Sequence, residues 1–465
     1  MFGMGGKSYI ELLDKDKQEG DFTISGFGED TYFGADIGAI DLTYSQFFNE
    51  RSMQALSVAA SAVQNKIKVD SLYNNGIDKF IRYGQKSHEE KFTITYNFNS
   101  KINSQNTVSA GLIADLYVFK YGDSVWRSTE YLKLTGFHGD ALLWQAYAKW
   151  QHRFNDKLAL NTGIHFQEFL LNNTIGIEPR IGLKWNLASG QSLSFGTGMH
   201  SQTQPMRVYF YETRQADGTY VRTNKDLGFS KSTHYVIAYD NNFARNWRTK
   251  IESYYQHLYN IATETQRSSY SVLNLGANYV IPDVSDLKNN GTGTNYGIEL
   301  TLEKFLSKNY YMLLTGSLYE AKYTGSDGVE RNSAFNGNYT LNTLLGGEFN
   351  LDKKKRKVIT FNTKINYAGG KHYTAFLLDE SRLKRKAIYD EAHAYENQYP
   401  FYSRVDVKVG FKLNGKKLTQ EWSFDIQNIL NRKNVFQQLF NPVKGEVQTE
   451  FQLGFFPLVT YRILL

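Results

Sequence analysis

From Phe401 onward the chain sorts its side chains into one oily face and one polar face. The odd positions read Phe401, Ser403, Val405, Val407, Val409, Phe411 and Leu413, and the even ones Tyr402, Arg404, Asp406, Lys408, Gly410 and Lys412. After Asn414-Gly415, Leu418, Trp422, Phe424 and Ile426 share a face against Thr419, Glu421, Ser423, Asp425 and Gln427. A last run aligns Phe451, Leu453, Phe455, Val459, Tyr461, Ile463 and Leu465. Successive strand side chains point to opposite faces, so each run reads as a strand that is apolar on one side. Two-sided runs of about 9–11 residues or longer are the pattern of an antiparallel transmembrane β-barrel.

Composition fits. The 465 residues include 33 Tyr, 31 Phe and only 6 Pro, an aromatic excess suited to girdles at two bilayer interfaces. Mean hydropathy is negative, and no run of about 20 apolar residues offers a membrane helix. A barrel escapes hydropathy because half of each strand faces a wet lumen. With no cysteine, neither a disulfide scaffold nor a Cys-ligated metal is available. The net charge of +7 is spread through strands and loops, which does not read as a nucleic-acid interface. The one dense basic run, Lys353 to Lys357, falls in a turn between two strands and reads as solvated. Met1 to Lys7 lacks a charged segment leading into an apolar one. A barrel bound for an outer membrane needs such a leader, so either the class is a different one or the chain begins inside a longer protein.

Alternation predicts about seventeen strands. They lie near 34–48, 53–71, 91–103, 107–121, 142–154, 158–171, 176–187, 192–204, 233–242 and 247–259. The rest lie near 295–305, 310–323, 339–351, 358–368, 402–413, 418–428 and 450–463. Connections alternate between short turns, such as 49–52, 155–157, 188–190 and 414–415, and long ones. The long ones are 72–90, 122–140, 205–232, 260–294, 324–338, 370–401 and 429–449. Short turns on one side and long loops on the other belong to outer-membrane barrels. Residues 172–175 are the exception, short on the long side. No repeat at propeller-blade spacing competes with this reading.

Several stretches resemble TonB-dependent outer-membrane receptors of the Bacteroidetes type, in the group carrying a carboxypeptidase-like regulatory domain. They are Gly369-Gly370-Lys371-His372-Tyr373-Thr374, Arg404-Val405-Asp406, Val409-Gly410-Phe411, Glu421 to Asn428, Asn431 to Phe436, and Gln452 to Pro457 with Tyr461-Arg462-Ile463. Upstream, Glu178-Pro179-Arg180, His200-Ser201-Gln202, Gln204-Pro205 and Ala334 to Gly337 are similar as well. The resemblance runs from about residue 34 to the end. It implies a barrel of about 22 strands with an N-terminal plug, of which residues 34–465 would supply the C-terminal part. Residues 1–33 would be an outside loop or a truncated barrel start, and the plug would be absent. It also implies nutrient uptake energised by TonB through that N-terminal part, insertion by the barrel assembly machinery reading the last strand, and contact with outer-membrane lipid and lipopolysaccharide.

The lumen wall is expected to carry Arg404, Asp406, Lys408, Glu421 and Asp425, leaving Val405, Val407, Val409, Trp422, Phe424 and Ile426 to lipid. The reverse would place charges in lipid at about 2–4 kcal/mol for each midplane Arg or Lys. Ligand candidates are Arg207, Tyr209, Phe210, Tyr211, Tyr220 and Arg222 in one loop, and Lys371, His372, Tyr373 and Tyr399 in another. Aromatics with Arg or Lys grip anionic chelates or sugars, while the same residues also suit internal packing of a large loop. Arg382, Lys384, Arg385 and Lys386 either contact lipid phosphates or form a solvated loop. No His-Glu-x-x-His, Gly-x-Ser-x-Gly or Walker loop occurs, and the nine histidines are scattered. The glycine-rich stretch Gly291 to Gly297 leads into a strand, so it lacks the helix end that binds phosphate. Neither an enzyme nor a cofactor or metal is expected. The reading is a receptor barrel importing a scarce nutrient such as an iron chelate; the alternatives are a plugless diffusion pore, a surface adhesin, or a soluble β protein. Without further strands, 34–48 and 450–463 would be unpaired edges, costly in lipid.

Overall fold

A computed structural model describes residues 1–16, 28–74, 77–127, 130–276, 284–442 and 444–464. One antiparallel sheet of nineteen strands dominates it. Eighteen are wall strands. In chain order they are β1 (Phe2–Leu12), β2 (Glu29–Asn49), β3 (Ser52–Tyr73), β4 (Asp78–Lys101), β5 (Asn106–Arg127) and β6 (Glu130–Arg153). Next come β7 (Leu158–Phe169), β8 (Thr174–Ala188), β9 (Gln191–Gln202), β10 (Ser230–Ala244), β11 (Trp247–Glu264) and β12 (Leu287–Ser307). The last six are β13 (Tyr310–Thr324), β14 (Tyr339–Asn350), β15 (Lys357–Ala368), β16 (Tyr402–Asn414), β17 (Thr419–Gln427) and β18 (Phe456–Leu464). The nineteenth, Glu330–Asn332, is a short flap on the end of β13.

Every wall strand pairs with its sequence neighbours, making an up-and-down meander from β1 to β18. The order continues unbroken through the second half. Among the described residues no pairing joins β1 to β18. The short turns share one rim. At Ser307–Tyr310 the two central residues, Lys308 and Asn309, both take positive φ (49° and 69°), the type I′ geometry whose twist matches a two-residue hairpin. The basic run Lys353 to Lys357 sits on this rim, where Asp352 accepts the Lys357 N–H at 2.9 Å. The opposite rim carries the large loops.

Four expectations need correction. Residues 1–33 include β1, and β2 starts at Glu29, so the edge strand is Phe2–Leu12 rather than 34–48. Alternation missed β1 because Gly3, Gly5 and Gly6 leave its faces without contrast. Residues 72–90 and 122–140 are mostly strand: β3 and β4 continue to Tyr73 and from Asp78, and β5 and β6 to Arg127 and from Glu130. Over much of these extensions the outward face is polar, with Lys86, His88, Ser124, Lys133 and His138, while apolar Phe137 lies on the inner face, so the oil-outside alternation does not mark them. The strand expected over 450–463 divides. Glu446–Phe451 turns back on Val435–Asn441 as a separate hairpin, and β18 begins at Phe456. The closing edge is therefore Phe456–Leu464, where Pro457, which lacks an N–H, is tolerated. Leu465 lies outside the described residues.

Candidate functional site: lumen wall and loop cap

Burial in the wall is inverted relative to a water-soluble protein. Large apolar side chains lie open on one face, among them Leu42, Val58, Ile94, Ile164, Tyr235, Leu318, Phe424 and Val459, the last 82% exposed. Polar side chains on the other face are shielded: Glu178 is 1% exposed, Asp115 4% and Thr360 5%. An exposed apolar band of this extent is stable only against lipid, which makes the sheltered polar face the lumen side.

That inner face carries a continuous hydrogen-bonded row across β4 to β8. Asp115 takes an ion pair from Lys91 at 3.0 Å and hydrogen bonds from Thr93 (2.7 Å) and Gln145 (3.2 Å). His165 joins this group to the next, with Nε2 3.1 Å from Gln145 Oε1 and Nδ1 3.0 Å from Glu178 Oε2. Glu178 also accepts from Arg180 (2.6 Å), Gln167 (2.5 Å) and the Ser201 N–H (2.9 Å). Four donors around one buried carboxylate is the arrangement that makes a buried charge tolerable. Nearby, Tyr147 lies over Gly111, where a Cβ would come 2.4 Å from its ring, and its hydroxyl donates to Asn97 at 2.7 Å. Sequence reading noticed Glu178 and Arg180 only as part of a resemblance. Their partners are remote in sequence, and only cross-strand register assembles them.

The expected wall residues at the C-terminal end share one polar face. Arg404 pairs with Asp406 at 2.6 Å, and Asp406 also accepts the Asn428 N–H at 2.8 Å. Lys408 stands directly opposite Asp425 in the ladder, and Glu421 opposite Arg462, their charged groups 3.8 Å apart. On the other face Val409, Trp422 and Phe424 are open, with Trp422 packed on Phe411 and Tyr461.

The loop between β9 and β10 folds inward. Its helix α1 (Met206–Phe210) lies against the inner faces of β5 and β6. There Phe119, Tyr121, Phe137 and Leu143 replace the usual polar residues and form one core with Met206, Val208, Tyr209, Phe210, Leu227 and Phe229. Gly139 makes room: a Cβ there would sit 2.3 Å from the Phe210 ring. Each large side chain so buried contributes about 1.5–3 kcal/mol.

This packing corrects part of the ligand expectation. Tyr209 and Phe210 are 0% and 1% exposed and belong to the loop core. Burial pushes the Tyr209 phenol up to about 12, and its oxygen accepts the Gln204 N–H. Tyr211 packs edge-on against Phe137. Arg207 lies 4.1 Å over the Tyr121 ring and donates to its hydroxyl at 3.1 Å. Arg222 pairs with Glu212 at 3.1 Å and donates to the His138 carbonyl. Tyr220 alone of this group is widely exposed, on a small hairpin joining Thr213–Arg214 to Tyr220–Val221.

The second group lies in the loop between β15 and β16. Tyr373 and Tyr399 stack 4.2 Å apart and nearly parallel, between the paired segments His372–Tyr373 and Asn397–Gln398. Burial holds the Tyr399 phenol up at about 12, partly offset by the Gln438 N–H it accepts. Buried His372 donates from Nδ1 to the Tyr395 carbonyl at 2.9 Å, and Lys371 lies over the Phe335 ring. Arg382 and Lys384 sit on helix α2 (Leu378–Lys384), facing Asp379 and Glu380 at 3.5 Å each, and Arg385 caps it in a left-handed conformation. The glycine-rich stretch lies within β12, which begins at Leu287 rather than near 295, so most of it is strand and not the end of a loop. Among the described residues no cluster of His, Asp and Glu has metal-binding geometry.

No protein-family model and no curated protein matches this chain. Solved structures do. The ferric preacinetobactin receptor BauA from Acinetobacter baumannii superimposes with a TM-score of 0.62 at 11% identity, covering 94% of this chain and 64% of BauA. The pyoverdine outer-membrane receptor FpvA from Pseudomonas aeruginosa PAO1 gives 0.64 at 10% identity, over 99% of this chain and 68% of FpvA. The outer-membrane transporter YddB from Escherichia coli gives 0.59 at 9%, over 99% and 74%. These proteins are receptors and transporters, not enzymes. The fold of this chain is that of an outer-membrane receptor barrel, and it spans slightly under two thirds of BauA.

Proposed function

We propose that the chain is the wall and loop portion of an outer-membrane receptor that takes up a scarce nutrient, an iron chelate or another small ligand, by a TonB-energised route. The observation that carries this reading is the pairing of an inverted wall with a folded loop cap. Lipid-compatible residues face out, a hydrogen-bonded polar row lines the lumen, and long loops with their own cores stand over one end. A passive pore needs no such cap. BauA and FpvA, which share the fold, are a ferric-siderophore receptor and a pyoverdine receptor. Within this reading Tyr220, Lys371, and the exposed edges of the stacked Tyr373 and Tyr399 are the ligand-facing candidates, Arg207 and Arg222 hold the cap, and no residue is assigned to plug or coupling.

The test is uptake of a panel of radiolabelled ferric chelates by cells expressing the protein, with and without TonB. Accumulation that requires both supports the reading. Accumulation that persists without TonB, together with steady single-channel conductance in planar bilayers, would establish a diffusion pore instead.

A further inference from the structure

Two stretches that the receptor reading leaves without a role, Glu178-Pro179-Arg180 and His200-Ser201-Gln202, come together on the inner face. Side chains alternate along each strand. Ile177 and Ile181 of β8, Phe195 of β9, Tyr235 and Ile237 of β10 and Tyr255 of β11 are open on the outward side. That turns Arg180, Gly198, His200, Ser232, His234 and Gln256 to the lumen. The ladder sets Arg180, Gly198, His234, Gln256 and Asn295 side by side in one row. His200 stands directly opposite Ser232 in the row above, two residues before β9 ends and the inward-folded loop begins.

Gly198 lets the row close up: a Cβ there would lie 3.0 Å from the Arg180 side chain, which lies across the glycine. Beyond it the His200 and His234 rings meet at 4.6 Å between centres, tilted by 45°. Arg180 is close enough to act on both. The donors here are underused. Arg180 turns one nitrogen, Nη2, to Glu178 at 2.6 Å and meets no other acceptor among the described residues, its side chain 47% exposed. The His200 ring has no hydrogen-bond partner among the described residues. His234 shares only the Ser232 hydroxyl, 2.8 Å from its Nε2. Gln256 accepts from Asn295 at 3.2 Å through its oxygen, and among the described residues its amide N–H groups have no acceptor. Acids are scarce nearby. Glu178 is already filled by four donors. Glu252 and Glu299, next along these ladders, stand four residues below Gln256 and Asn295, about 13 Å down the strand.

We propose that this shelf of Arg180, His200 and His234, at the mouth of the lumen beneath the loop cap, binds a carboxylate carried by the imported ligand. The inference rests on reading the chain as an uptake receptor, and it adds a second contact below the loop candidates. Guanidinium and imidazole N–H groups hold a carboxylate through charge-assisted hydrogen bonds. Charge favours a monoanion: Glu178 offsets Arg180, so the pair is near neutral and a phosphate dianion would be undercompensated. A divalent cation is disfavoured by the guanidinium beside the rings. Among the described residues no third His, Asp or Glu completes a metal site with the two imidazoles. A purely structural row looks different. On β4 to β8 the same inner face joins Asp115, Gln145, His165 and Glu178 to one another or to their neighbours, whereas on the shelf the donors stop short of any acceptor.

The experiment takes the protein in detergent, purified from outer membranes, and follows carbethoxylation of each histidine by diethyl pyrocarbonate with mass spectrometry. Probes are citrate, inorganic phosphate and, as an uncharged control, glycerol, each at the same millimolar concentration. Citrate is expected to slow modification of His200 and His234 about tenfold, the factor that one charge-assisted hydrogen bond supplies. His393, exposed on a loop, should be modified at the same rate throughout. Arg180→Gln should remove the protection, and Lys353→Ala on the short-turn rim should match the parent. If Arg180→Gln does not assemble, His234→Gln should still lower citrate protection of His200 by about two- to fivefold. Protection by glycerol, protection by phosphate as strong as by citrate, protection undiminished in both shelf variants, or no protection at all would overturn the proposal. Uptake is read separately. Failure of every ferric chelate to accumulate through TonB, with the protection intact, sinks the receptor reading and leaves the site; TonB-dependent accumulation without protection sinks only the site.

Discussion

Strands β16 to β18 and the upper parts of β3 to β6 are held by the same backbone ladder but show opposite outward faces. In β16 to β18 the outward side is Val409, Phe424 and Val459, all open, while Asp406 and Glu421 are sheltered inside. In the upper parts of β3 to β6 the outward side is Lys66, Lys86, Lys120 and Lys133. There, apolar residues such as Phe119, Tyr121 and Phe137 are buried on the inner side, under α1. The difference teaches what alternation measures. It records the solvent on each side of a strand, oil outside and water inside, and not the strand itself. Above the bilayer that contrast fades or reverses, and the ladder persists because each backbone N–H and C=O still finds its neighbour.

The largest effect should come from reversing the outward solvent match. Phe424→Arg places a charge in the apolar band at about 2–4 kcal/mol and should abolish the heat-modifiable band on gels. Ser124→Arg, outward but in the upper region, should change assembly by about 0.5 kcal/mol or less. Similar losses for both would erase the contrast. A smaller effect is expected inside. Glu178→Ala removes the acceptor of the Ser201 N–H and of one N–H of the Gln167 amide, whose nitrogen still donates to the Ser201 carbonyl, at about 1–3 kcal/mol for a buried unsatisfied donor. The midpoint of urea unfolding should fall while the apolar band stays intact. An unchanged midpoint would mean that the inner row is solvated rather than packed.

The smallest effect concerns the cap. Tyr209 and Tyr399 have phenols raised by burial to about 12. A raised acid is held neutral in the folded state, so the cap keeps its full stability below the free tyrosine value near 10. It should lose stability as pH climbs from about 10 to 12. Tyrosinate absorbance should rise late, together with protease cleavage in 205–229 and 370–401, while wall strands stay protected. Cleavage that rises equally at pH 8 would show that these phenols are not buried.

Most of the wall was legible from residues close in sequence. Val405, Val407 and Val409 against Arg404, Asp406 and Lys408 define both a strand and its two sides, because the two-residue period needs no information from elsewhere. The ligand candidates were far less legible. Tyr209 and Tyr220 looked alike in the sequence, yet one is sealed in a core and the other stands in the open. What separates them is a seat built by Phe119, Phe137 and Gly139, distant in the chain, and no local pattern reports a seat. The strand extensions of β3 to β6 were hidden for the related reason that much of their outward side is polar, while apolar residues such as Phe137 lie on the inner side, against the oil-outside pattern.

By itself the sequence determined the fold class, the inward and outward faces of the C-terminal strands and the rim that carries the loops. Each of these follows from short-range periodicity and the chemistry of turns. Only the tertiary structure decided the Asp115–His165–Glu178 row, the inward seat of α1, and the Arg180–His200–His234 shelf on β8 to β10. Those depend on register, which sets residues tens of positions apart directly opposite one another. A shift of one residue would turn every one of those side chains to the other face.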